Sequence, residues 1–421
     1  MNVTLFAAGS QGDLQPCLRL GKGLQESGFN ILLAAPSNFA GVSYEQGVPF
    51  QSLRGDVKAI MSGETGREFM GRGGTNPIRS IPPMRKMLGP IAIQMAEDAL
   101  TACRDADALI TLAVFAPFGK TIAEICSIPL LLVEPTPVLP TRNFPAPGFP
   151  IQKNLGGMLN RLSGFAMLEV IWQWYRPFVN EFRKRFGLPR LSGSDFYRAL
   201  VSTPLLGAYS LSVIPQPQDW SPNVHITGYW FQDSQTTWKP SARLINFLEQ
   251  GEPPVYVGFG SMTGRDPERI TKIVLDALEK SGRRGVIATG WGGINTIKTP
   301  EDVFVLDSAP HAWLFPRMSA VVHHGGAGTT AEGLRAGKPT VTVPFIVDQL
   351  FWGTRVHAMG AGTKPIQAHG LTGRNLAEAI QRAGTDPLIR RRAESIGKRI
   401  RSEDGIGNAV KIAKGCLGVS L

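Results

Sequence analysis

The chain opens on an apolar run of strand length, Asn2 to Ala8, which breaks at Gly9-Ser-Gln-Gly-Asp-Leu-Gln-Pro16. Leu14, Cys17, Leu18 and Gly21 then recur at helical spacing, and Ile31 to Ala35 forms a second apolar run. This pattern predicts a β-loop-α-β unit. Further apolar runs at Ala108–Leu112 and Pro129–Val133, separated by helical patterns, extend it into a parallel sheet. The theme restarts at Val255-Tyr-Val-Gly-Phe-Gly-Ser-Met-Thr-Gly264, before a helix carrying Ile270, Ile273, Val274, Ala277 and Leu278. Apolar runs at Val286–Ala288, Val303–Leu306, Ala320–Val322 and Thr340–Val343 then alternate with helical segments, so a second doubly wound domain is expected. Between the halves, Pro215 to Pro254 is rich in proline and polar residues, with the linker expected near Phe231 to Lys239.

The segment Ala320-Val-Val-His-His-Gly-Gly-Ala-Gly-Thr-Thr-Ala-Glu332 runs from an apolar strand through glycines and threonines into a helix-like pattern. In that arrangement free backbone N–H groups and a helix N-terminus meet a phosphate, which points to a bound diphosphate. Two open parallel sheets facing one another would place their ligand loops around a shared cleft, one domain holding a donor and the other an acceptor.

A length of 421 residues suits two domains of about 200 residues each. With 43% hydrophobic and 18% charged residues, the chain is globular. No apolar run approaches the roughly 18 residues that cross a bilayer, and Met1-Asn-Val-Thr-Leu-Phe6 lacks a basic signal-peptide start. A soluble, cytoplasmic protein is expected. Cys17, Cys103, Cys126 and Cys416 have no CxxC spacing and read as reduced core residues. A formal charge of +11 suits an anionic partner without choosing among nucleotide, nucleic acid and acidic membrane.

The ordered set Gly9–Pro16, Val257-Gly-Phe-Gly-Ser261, Ala309-Pro-His-Ala-Trp-Leu-Phe-Pro316, His323-His-Gly-Gly-Ala-Gly-Thr-Thr330 and Val343-Pro-Phe-Ile-Val-Asp-Gln349 resembles the family 1 nucleotide-sugar glycosyltransferases. The likeness is strongest to sterol and lipid glucosyltransferases and bacterial antibiotic glycosyltransferases, and it spans nearly the whole chain. It implies an α/β GT-B fold: an acceptor-binding Rossmann-like domain over 1–231 and a donor-binding one over 232–421, with the terminal helix able to pack back on the first. It also implies inversion at the anomeric centre, a UDP-sugar as co-substrate, and no cofactor and no metal. Backbone donors, a helix dipole and His324 would replace a cation at the leaving diphosphate.

Carried over residue by residue, the resemblance assigns His324, Gly326, Gly328 and Thr329 to the phosphates, with Ser261 approaching from the facing loop and Ala309 on the donor side. Glu332 would accept hydrogen bonds from ribose hydroxyls, and Asp348 and Gln349 would bind hydroxyls of the transferred sugar. Asp13 is the candidate general base for the acceptor hydroxyl. Plant relatives stack a tryptophan on uracil where this chain has Ser308, so stacking would come from elsewhere, with Trp291 the candidate and a loop anchor its alternative.

Other roles stay open on the residues alone. Asp13 before Leu14-Gln-Pro16 also suits a helix N-cap, Thr329 and Thr330 suit the cap of the helix that follows, and Asp348 suits a cap near Gln349. His323 reads as a space-filling side chain at a strand end. For the acceptor, Phe115, Phe118, Met61, Met87 and Trp172-Gln-Trp-Tyr175 would line an apolar pocket or pack a core. Arg79-Ser-Ile-Pro-Pro-Met-Arg-Lys-Met87 mixes basic and apolar residues as a membrane-docking loop does, and a solvated loop is the competing reading. Peripheral contact with the inner membrane surface is compatible with both.

The reading favoured is therefore transfer of a hexose, glucose first, to a hydrophobic acceptor such as a sterol, polycyclic natural product or lipid. A nicotinamide oxidoreductase is disfavoured because Gly9-Ser-Gln-Gly12 is not GxGxxG and Ile31-Leu-Leu-Ala-Ala-Pro36 carries no acid for a ribose. A basic nucleotide- or membrane-binding protein on an inactive transferase scaffold is the alternative. Nucleic acid is not an expected partner, since the basic residues are scattered and not grouped with aromatics.

Overall fold

The computed structural model describes residues 1–9, 11–55, 63, 66, 76–231, 238–260, 267–289 and 300–418, apart from the side chains of Gln11, Asp13 and Val347. The chain divides into two compact units, one of Met1–Gln232 with Asp404–Leu421 and one of Asp233–Glu403.

The first unit is built on seven strands: β1 (Asn2–Phe6), β2 (Asn30–Pro36), β3 (Phe50–Leu53), β4 (Ala108–Leu112), β5 (Leu130–Glu134), β6 (Leu205–Gly207) and β7 (Val224–Ile226). They form one sheet in the order β3-β2-β1-β4-β5-β6-β7, every pair parallel. Strands covered on both faces read as continuous apolar runs, and β4 is buried at every position. Its main helices are α1 (Gln11–Glu26), α2 (Ala40–Glu45), α3 (Ile81–Leu88), α4 (Ala92–Ala102), α5 (Ala116–Cys126), α6 (Gly157–Arg185) and α7 (Gly193–Ser202).

The second unit has β8 (Val255–Gly258), β9 (Gly285–Ala288), β10 (Val303–Leu306), β11 (Ala320–His323) and β12 (Thr340–Thr342). These also pair in parallel, in the order β10-β9-β8-β11-β12. Its helices are α8 (Ala242–Glu249), α9 (Pro267–Ser281), α10 (His311–Leu314), α11 (Ala327–Arg335), α12 (Val347–Ala358), α13 (Gly373–Thr385) and α14 (Pro387–Arg401). The helix α15 (Gly405–Cys416) returns to the first unit, where Ala409, Val410 and Ala413 join the core of Leu14, Leu18 and Leu24. Asp404 caps α15 through the Gly407 N–H at 2.9 Å.

In each sheet the chain winds outward on one side and then reverses. The reversal lies between β1 and β4 in the first unit and between β8 and β11 in the second. Ligands of open α/β sheets bind beyond the strand ends at such a switch point. The loops after β1, β8 and β11 leave the two sheets at these switch points.

Candidate donor and acceptor sites

At the second switch point His323 ends β11 opposite Gly258, the last residue of β8. The chain then turns through Gly325, at φ +91°, into α11. A side chain at Gly325 would run into the Gln349 carbonyl oxygen at 2.7 Å, and one at Gly326 would overlap His324 Nε2. Close packing against backbone and the left-handed conformation thus both require glycine at Gly325, while a side chain at Gly326 would have to displace the His324 ring. Gly326 is the N-cap of α11 and offers no side-chain cap. The N–H groups of Ala327, Gly328 and Thr329 consequently have no intrahelical partner, which suits an anion. Thr329 and Thr330 sit inside the helix and do not cap it.

Three histidines converge on this loop. His323 is fully buried and its Nδ1 accepts the Gly325 N–H at 2.9 Å, so its proton resides on Nε2. It holds the glycine turn as well as filling space, a role its sequence context did not reveal. The His323 and His324 ring centroids lie 6.2 Å apart, and His311 stacks on Phe315 at 4.3 Å. Burial pushes His324 down to about 4. Burial and then the neighbouring His324 do the same to His311, and His323 is driven well below its ordinary value. At neutral pH all three rings are uncharged. The His324 ring is therefore a neutral hydrogen-bonding group and not a fixed positive charge. His324 Nδ1 and His323 Nε2 have no partner among the described residues.

Glu332 lies half-buried on the second turn of α11, Gly328 is exposed, and Ala309 packs at the edge of the small core that contains Phe315 and Leu314. Gln349 is 3% exposed. Its Oε1 accepts the N–H groups of Phe345 at 2.8 Å and Ile346 at 3.3 Å, so it already shapes the entry to α12. Asp348 lies within the first turn of α12, whose N-cap is Ile346, and so is not the cap. His324, Gly326, Gly328, Thr329 and Glu332 thus share one loop and helix, with Gln349 packed against its Gly325. Ser261 and Trp291 lie outside the described residues.

In the first unit Asp13 falls inside the first turn of α1, which begins at Gln11. It is not the N-cap, and its side chain lies outside the described residues. On the acceptor side Phe118 is 4% exposed and packs edge-on to Tyr175 at 5.9 Å and near Phe182 at 6.5 Å. It is core, as aromatic residues at helical spacing tend to be. Phe115 is half-buried between Phe6 and Tyr175, each at 5.9 Å. Met87 and Trp172 are buried, and Met61 lies outside the described residues. Arg79–Met87 is not a loop: most of it is α3, with Pro83 and Met87 buried, Arg79 and Lys86 exposed, and Arg85 donating to the Gln173 carbonyl at 2.7 Å.

One group was not anticipated. Glu134, at the carboxyl end of β5, is 1% exposed and accepts the Tyr209 hydroxyl at 2.5 Å and the Val138 N–H at 3.2 Å. Burial raises its carboxyl to about 7 against these two bonds, which lower it. A lone glutamate ending an apolar run was its signal.

Residues 276–409 match the family described as erythromycin biosynthesis protein CIII-like, C-terminal domain. The chain is 36% identical, over 98% of its length, to a sterol 3-beta-glucosyltransferase of Arabidopsis thaliana, of which it spans 65%. To an O-mycaminosyltylonolide 6-deoxyallosyltransferase of Streptomyces fradiae it is 35% identical, with 97% of this chain and 96% of that protein covered. A crystal structure of the glycotransferase of kitacinnamycin superposes with a TM-score of 0.75 at 17% identity, covering 99% of both chains, and shares the fold. The two doubly wound units, the glycine loop opening α11 and end-to-end identity of 35% lead to one assignment: the chain belongs to the family 1 nucleotide-sugar glycosyltransferases, of GT-B fold.

Proposed function

We propose that the chain is an inverting hexosyltransferase that moves glucose or a related sugar from a uridine diphosphate donor to a hydroxyl of a hydrophobic acceptor, a sterol, polycyclic natural product or lipid alcohol. The observation that carries this reading is the uncapped start of α11 beside His324 at the β8/β11 switch point. The relatives' names support the acceptor class, one pairing glucose with a sterol and the other a 6-deoxyallosyl group with O-mycaminosyltylonolide.

In the proposed step the acceptor oxygen attacks the anomeric carbon from the face opposite the diphosphate, and its proton passes to the Asp13 carboxylate. The bond from the anomeric carbon to the diphosphate oxygen breaks, and its electron pair leaves with the diphosphate. The Ala327, Gly328 and Thr329 N–H groups and His324 stabilise the charge that develops there, so no metal is required. Glu332 would hold the ribose and Asp348 with Gln349 the hexose.

Calorimetric titration with uridine diphosphate, paired with a donor-by-acceptor activity screen read by mass, tests this. His324→Ala is expected to weaken nucleotide binding and slow transfer, by about tenfold or more, since a donor to the diphosphate is lost in both ground and transition states. Asp13→Asn is expected to bind nucleotide normally while turnover falls on the order of a hundredfold. Nucleotide binding without product from any donor and acceptor would support an inactive scaffold instead. Unchanged affinity and turnover in His324→Ala would remove that residue from the donor site.

A further inference from the structure

Among the described residues nine large apolar side chains are exposed, and four of them, Ile151, Met158, Leu159 and Leu162, fall within twelve positions. Met158, Leu159 and Leu162 are 76%, 54% and 53% exposed, and their i, i+1, i+4 spacing places them on one side of the first two turns of α6. Ile151 lies at the same end. Its neighbour Gln152 donates to the Ala146 carbonyl at 2.9 Å, and the Ala146 N–H donates to Ser163 Oγ, also at 2.9 Å.

The patch is displayed on a stiff mount. Buried Asn160 donates to the Arg142 carbonyl and to Asn154 Oδ1, and accepts the Leu155 N–H, at 2.9, 2.8 and 3.0 Å. Gly164 leaves no room for a side chain against Pro140. An apolar group that the protein means to bury in itself is not held outward by a network of this kind, and clustered exposure marks an interaction surface.

Its charge selects the partner. Between Glu134 and Glu169 the sequence has no acidic residue and three basic ones, Arg142, Lys153 and Arg161. Arg142 and Lys153 are exposed, and Arg161 lies over the Phe165 ring at 5.7 Å. Asp219, an acid bonded to this segment from outside it, is occupied by the Thr141 hydroxyl and the Arg142 N–H. Apolar side chains rimmed by cations fit the interface of an anionic bilayer. The loop that carries them leaves the carboxyl end of β5, the ligand edge of the first sheet.

We propose that the face formed by Ile151, Met158, Leu159 and Leu162 with Arg142 and Lys153 docks on an anionic lipid surface. That docking serves to reach an alcohol dissolved in the bilayer rests on the acceptor reading above; the docking itself does not. The test is co-sedimentation of the full chain with vesicles of phosphatidylcholine alone or with added phosphatidylglycerol. The chain is expected to sediment with the anionic vesicles. Combined Met158→Ser, Leu159→Ser and Leu162→Ser should weaken that binding by about tenfold or more, and Lys153→Gln by about fivefold. Circular dichroism checks the fold of the triple variant, and Leu162→Ser alone, with a milder loss, serves if it is perturbed. Vesicle binding unaltered by these changes, equal binding to neutral vesicles, or none at all would overturn the proposal. So would a dimer in sedimentation equilibrium that the triple variant dissociates, which would give the face to a second copy of the chain. Docking with no transferase activity would sink the function and leave the surface standing. Activity on a soluble acceptor without docking would do the reverse.

Discussion

Glu134 shows how a single residue can set the pH response of the first unit. Its carboxyl rests near 7, well above the ordinary glutamate value of 4.5, because burial penalises the charged form more than Tyr209 and Val138 favour it. The folded chain thus binds this proton more tightly than the unfolded chain. Stability contributed by the protonated form is complete below about 4.5 and is lost as pH rises toward 7, up to roughly 3 kcal/mol for this group alone. Denaturant unfolding across that range should show the decline, and Glu134→Gln should flatten it; an identical slope in both proteins would exonerate the carboxyl. At this scale the sequence was legible where chemistry is tied to a motif and silent where it depends on packing. The strand, glycine turn and helix start around His324 and Gly326 were readable from the motif, whereas the bond from Gly325 to His323 required knowing how the turn closes. Asp13 and Asp348 were each placed beside a helix start, and the helices begin three and two residues earlier, respectively, than their cap reading needs.

Elements followed their apolar runs closely when the runs were long enough to carry a period. The strands Ala108–Leu112 and Val303–Leu306 have the bounds read from the sequence, while β3, β6 and β7 are only three or four residues long and left no pattern to detect. The helix α3 was hidden by Pro82 and Pro83, which look like loop residues but suit a first turn, where no N–H partner is lost. At the entry to α12 Gln349 has a structural task. Its Oε1 serves the backbone of Phe345 and Ile346, so the side chain supports the loop as well as any sugar. Gln349→Ala should therefore cost both nucleotide and nucleotide-sugar binding. Gln349→Glu keeps an accepting oxygen for those two N–H groups and removes only the amide donor. It is expected to bind uridine diphosphate within about threefold of the parent while use of the intact nucleotide sugar drops by about tenfold or more. Parallel losses for the two ligands in Gln349→Glu would confine the residue to holding the loop.

Over the whole molecule the two units differ in how the chain builds them. Residues 233–403 form the second unit from one uninterrupted stretch, whereas the first needs the distant segment 404–421 to complete it. Gly23 on α1 is the contact point: a side chain there would meet Ile406 Cγ2 at 2.6 Å and Val410 Cγ2 at 3.1 Å. Ala409, Val410, Ala413 and Leu417 lie in the same core as Leu14 and Leu18. Truncation after Glu403 would uncover that face of α1, and each buried Val or Leu side chain lost is worth about 1.5–3 kcal/mol. The truncated chain should therefore unfold in two steps in scanning calorimetry. The first unit would melt early, and the second would melt near its normal temperature and be shifted upward by uridine diphosphate, because a ligand stabilises only the state that binds it. Loss of nucleotide binding along with the first transition would mean that the second unit cannot hold its diphosphate loop alone. A single transition at the parent temperature would mean that α15 contributes nothing to the core it enters.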